Sequence, residues 1–101
     1  MTPEGALEFV REFKKTLPDG WGFLLVDDGS AGGSMLVVTE TSPPLPGGWF
    51  VWISKRLLGG EVLRGGVLFT EKDEPQDVEA RAWAVLGLLQ QRERIEAARW
   101  N

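Results

Sequence analysis

Two strand-forming runs, residues 49–58 and 61–71, flank Gly59-Gly60, and no other feature constrains the fold of this chain as strongly. The runs are rich in aromatic and β-branched residues such as Trp49, Val51, Trp52, Ile53, Val62 and Val67, which suit a pleated, half-buried surface. Both glycines can adopt φ > 0, so a two-residue primed turn is expected at the tip. That turn sets Phe50 opposite Phe69 and Trp52 opposite Val67, four large side chains on one face of a hairpin. Gly65-Gly66 then reads as a bulge in the second run.

The flanking segments extend the same layer. Trp21-Gly22-Phe23-Leu24-Leu25-Val26 is apolar on both faces and reads as an inner strand. A glycine-rich hairpin loop from Asp27 to Ser34 precedes a further strand, Met35 to Thr41. The stretch Pro43-Pro44-Leu45-Pro46-Gly47-Gly48 then interrupts ladder pairing. Helices close both ends. Thr2 is a good N-cap and Pro3 a good first helical residue, and Ala6, Phe9, Val10, Phe13 and Leu17 recur at helical spacing before Pro18-Asp19-Gly20. Asp73-Glu74-Pro75 opens the last helix, whose buried stripe is Val78, Ala82, Val85, Leu86 and Leu89. From Gln90 onward Glu93 and Glu96 take up stripe positions, so residues 90–101 are expected to form a protruding helical extension with an Arg92–Glu96 pair. The expected fold is α+β, a two-layer sandwich over a single domain, 1–101. Its four-stranded antiparallel sheet carries both helices on one face, in the order α-β-β-β-β-α. A chain of 101 residues buries about two-thirds of its surface, enough for one core.

Composition narrows the chemistry. The chain has no Cys, no His and no Tyr, which removes disulfides, thiol nucleophiles, imidazole acid–base groups and Cys/His zinc sites. No enzymatic activity, cofactor or metal is expected. Asp27-Asp28 lacks the alternating ligands of a calcium loop, and Glu71, Asp73, Glu74 and Asp77 stand where the start of a helix favours acids. Gly29 to Ser34 leads into a strand without a Lys, unlike a phosphate loop. Ser54 and Lys55 are adjacent in a strand and point to opposite faces. Pro43-Pro44-Leu45-Pro46 reads as a stiff connection between strands. The net charge of -4, with scattered Lys and Arg, argues against a phosphate-binding footprint. No signal segment or membrane span is legible, so a cytoplasmic location is expected.

With Glu71-Lys72-Asp73-Glu74-Pro75 at the start of the last helix, the helix–sheet–helix order resembles the double-stranded RNA-binding domain family, α-β-β-β-α, over most of the chain. That family has a Gly-rich basic patch where these acids stand, so its RNA contact does not carry over. Size and charge are also similar to those of small acidic secretion chaperones.

The expectation is therefore a small protein-binding module: an adaptor, a chaperone or an inhibitor of the kind phages encode. Its partner would be another protein, a second copy of itself, or both. Two surfaces are expected to carry binding: the hairpin face of Phe50, Trp52, Val67 and Phe69, and the tail residues Ile95 and Trp100. The alternative is a nucleic-acid-related role, either base stacking on exposed tryptophans or acidic mimicry.

Overall fold

The computed structural model describes residues 1–27, 36–39, 44 and 46–99. Helix α1, Pro3–Thr16, starts at the expected cap: the Thr2 hydroxyl accepts from the Gly5 N–H at 3.0 Å, and Pro3 fills the first turn. It buries Ala6, Val10 and Phe13. Its end is a turn in which Gly20 takes φ 88, and strand β1, Trp21–Asp27, follows directly.

The sheet consists of β1, β3 (Gly48–Arg56) and β4 (Val62–Thr70), antiparallel throughout, with the two-residue strand β2 (Leu36–Val37) on the outer edge of β1. The full strand expected from Met35 to Thr41 is not seen among the described residues. Val38 still donates to the Leu25 carbonyl at 2.9 Å, while Met35, Glu40 and Thr41 lie outside the described residues. The loop glycines up to Ser34, together with Asp28, Pro43, Leu45 and Trp100, also lie outside the described residues.

The β3–β4 turn corrects the expected register. Gly60 donates to the Leu57 carbonyl at 2.9 Å, and the Leu57 N–H donates to the Glu61 carbonyl at 2.7 Å. Only Gly60 of the pair has positive φ, at 88°. The loop therefore holds three residues, Leu58-Gly59-Gly60, a turn closed by one left-handed glycine in place of a primed pair. The register slips by one: Phe50 pairs with Leu68, Val51 with Val67 and Trp52 with Gly66. Pairing then runs unbroken from Gly48↔Thr70 to Arg56↔Val62, so Gly65-Gly66 is not a bulge.

Side chains alternate across a sheet, so this slip decides which residues face the helices. Odd-numbered positions do: Trp21, Phe23 and Leu25; Trp49, Val51 and Ile53; Leu63, Val67 and Phe69. Above them lie α1 and helix α2, Pro75–Arg99, which buries Val78, Ala82, Leu86 and Leu89. Gly65 lets α2 sit close, since a Cβ there would stand 2.6 Å from Val85 Cγ1. Beyond Leu89 the helix is still tied to the sheet: Glu93 pairs with Lys55 at 2.7 Å, and that ammonium also lies 5.7 Å from the Trp21 ring centre. The architecture is α+β, two helices over an antiparallel sheet of three full strands.

Candidate functional site

Even-numbered strand residues form the face away from the helices. Two cross-strand rows carry its apolar side chains: Val26, Phe50 and Leu68, and beside them Leu24, Trp52 and Gly66. Val26 is buried, Phe50 and Trp52 are half-buried, and Leu24 and Leu68 are 44% and 51% exposed. The Phe50 and Trp52 rings stack with centres 5.2 Å apart. They close over Gly66, where a Cβ would come within 2.7 Å of Phe50 and 3.1 Å of Trp52. The next rows bring Ser54 with Arg64 and Arg56 with Val62. The Arg64 guanidinium lies 5.3 Å from the Trp52 ring centre, a cation held against the π face. The result is an apolar, aromatic surface with a basic end.

Phe50 and Trp52 thus stand together as expected, but Val67 and Phe69 do not join them. Both lie under the helices, 3% and 1% exposed, and Phe69 packs its ring 5.5 Å from Trp49. The cause is the one-residue slip at the turn. Sequence reasoning missed Leu68 for the same reason, and missed Leu24 because its place beside Trp52 comes from the β1–β3 pairing, which no local turn sets. In the observed register they are the direct neighbours of Trp52 and Phe50, and only that register could have pointed to them.

The other candidates separate in space. Among the described residues, no three acidic, His or Cys side chains converge on a common point that could hold a metal. Asp73 instead braces the start of α2. Its carboxylate accepts from the Thr70 N–H at 2.9 Å and pairs with Arg81, which also donates to the Leu68 carbonyl at 3.1 Å. The Thr70 N–H, then the Arg81 guanidinium, hold the Asp73 carboxyl below its ordinary 3.8. Lys55 points to the helix side and Ser54 to the open face. Trp21 and Trp49 are core, and Trp83 lies over Phe13 with its indole N–H donating to Glu79 at 3.3 Å. Ile95 is exposed on α2, and Glu96 is paired with Arg99 at 3.3 Å, in place of the expected Arg92. No described helix is long and apolar enough to cross a membrane. No family model, curated protein or solved structure matches this chain.

Proposed function

We propose that the chain is a non-enzymatic protein-binding module whose contact surface is the open sheet face of Leu24, Phe50, Trp52 and Leu68. One observation carries the reading: among the described residues, a sheet of three full strands has its helices on one side and leaves large apolar side chains on the other. Apolar faces of this kind mark sites of association, and aromatic anchors dominate their energetics. The basic end formed by Arg56 and Arg64 calls for a partner surface that is apolar at its centre and acidic at one margin.

The test compares the wild-type chain with Trp52→Glu and Leu24→Glu as immobilised baits in extract of the source cells. A protein retained by the wild type and lost with both variants, at unchanged circular dichroism, supports the reading. Equal retention by all three rejects it. The stacked pair Phe50–Trp52 beneath Arg64 also favours a second reading, stacking on single-stranded nucleic acid. That reading predicts salt-sensitive binding of an oligonucleotide, abolished by the same Trp52→Glu change.

A further inference from the structure

Strand β4 is the last strand of the sheet on the α2 side, and among the described residues its far edge pairs with no other strand. The ends of its ladder with β3 fix which backbone groups face outward. The Leu57 N–H donates to the Glu61 carbonyl and the Glu71 N–H to the Gly47 carbonyl, so the odd-numbered residues of β4 bond to β3. The even-numbered ones turn their N–H and C=O groups away from it. At one end the chain satisfies these groups itself. The Asp73 carboxylate accepts from the Thr70 N–H, the Asp73 N–H donates to the Thr70 carbonyl, and Arg81 donates to the Leu68 carbonyl. From the Leu68 N–H back through Gly66 and Arg64 to Val62, no described residue supplies a partner. Sheet edges are ordinarily guarded by brevity, proline, a bulge or charge. β4 has nine residues, no proline and unbroken pairing, and its one charge, Arg64, lies against the Trp52 ring on the open face.

We propose that this edge takes up an extended segment of another protein, which adds a strand beside β4 over Val62 to Leu68. Outward N–H and C=O groups that recur about every 6.8 Å match the backbone of a strand and not that of a helix. Both sides of the edge offer apolar contact. Leu68 stands 51% exposed on the open face. On the helix side Leu88, 68% exposed, follows Arg81 by two turns of α2 and shares the flank from which Arg81 reaches the edge. Arg64 lies on the first side, and Arg92 follows Leu88 by one turn on the second. The segment that fits is therefore apolar at alternate positions and acidic near its middle. A second copy of the chain does not fit. Its own β4 would bring α2 along, and each α2 is seated directly over Gly65. The two helices would lie about one strand spacing apart, roughly 5 Å, inside the 8–10 Å that packed helices need. The inference names a second contact of the same binding module and rests on the strand edge, not on the open face.

Amide hydrogen exchange of the full chain, read by NMR, tests the edge with the blocked peptide Val-Thr-Val-Glu-Val-Thr-Val as probe. Without peptide, the amides of Val62, Arg64, Gly66 and Leu68 should exchange at least about tenfold faster than those of Leu63, Val67 and Phe69. Saturating peptide should slow the first four by at least about tenfold. Antiparallel addition with the valines toward α2 aims the N–H of the peptide's glutamate at β4 and those of its valines away. N-methylation of that glutamate should weaken binding at least about tenfold, and N-methylation of a central valine should leave it unchanged. Arg64→Glu should weaken the same peptide and favour one with lysine in place of glutamate, and Leu88→Asp should weaken both without changing the melting temperature. Unchanged exchange at millimolar peptide, or equal loss with both N-methylated peptides, would overturn the proposal. So would slowing of the four amides as the chain alone is concentrated, which would make the edge a contact between copies. The bait experiment with Trp52→Glu reads the open face separately, so either reading can fail without the other.

Discussion

Gly65 and Gly66 are adjacent in β4 and serve opposite layers, Gly65 beneath Val85 of α2 and Gly66 beneath the stacked rings of Phe50 and Trp52. A methyl group at Gly65 must displace a β-branched side chain with one preferred rotamer in a helix, so Gly65→Ala is expected to destabilise by about 1–3 kcal/mol. In a domain of this size each kilocalorie lowers the melting temperature by about 4–8 °C, which calorimetry will register. Gly66→Ala should destabilise as well and also change the tryptophan fluorescence, because the rings above it must move. Asp73 gives a second test. Its carboxyl is held below 3.8 by the Thr70 N–H and Arg81, so the folded state favours the ionised form. A group depressed in the folded state contributes stability above its unfolded value, and that contribution is lost as pH falls through the folded one. Asp73→Asn should therefore melt lower than wild type at neutral pH, and the gap should close in acid below 3.8. Carboxyl NMR titration of Asp73 reads the shift directly.

The hairpin joining β3 and β4 and the long helix α2 show what single elements contribute. At the turn only Gly60 holds positive φ, so Gly60→Ala is expected to cost about 1–2 kcal/mol and Gly59→Ala little by comparison. A primed two-residue turn would make both substitutions costly, so thermal melts of the pair discriminate the two geometries. Residue type alone marks Gly59-Gly60 as a turn, but it does not fix the length of the loop. One glycine or two in the left-handed region depends on how the flanking strands twist and pack, which two adjacent glycines leave undetermined. Helix α2 divides at Leu89. Up to that residue the periodic stripe seats it on the sheet, and past it the Lys55–Glu93 ion pair is a tether on a half-exposed surface. Glu93→Gln should lower stability by no more than about 1 kcal/mol.

Across the whole molecule the two sheet faces make opposite demands on chemically similar residues. Trp52→Glu is expected to leave the circular dichroism spectrum folded, because the face it occupies borders solvent. Phe69→Glu should unfold the chain, because an unpaired carboxylate would enter a core lined by Phe9 and Trp49. If both variants unfold, the open face is more deeply covered than its exposure implies. The molecule is elongated, 46 × 26 × 20 Å, and its surface of 6484 Å² exceeds the roughly 5,700 Å² of a compact chain of this mass. A helix of 25 residues, about 37 Å long, continues to Arg99 after its last buried side chain at Leu89.

Residue order alone was enough for what is local. Thr2 and Pro3 set the start of α1, Pro75 that of α2, and the spacing of Val78, Ala82, Leu86 and Leu89 marked the face that α2 buries. These signals act within a turn or two of backbone, where capping and periodicity suffice. Which sheet face becomes core emerges only when the layers pack. Trp49, Val51 and Ile53 alternate with Phe50 and Trp52, so β3 is apolar on both sides and its pattern ranks neither. One residue in the turn shifts the pairing, and a period of two turns that shift into an exchange of faces for Val67 and Phe69. The helices settle the choice, since α2 can approach the sheet closely only where Gly65 lies beneath Val85.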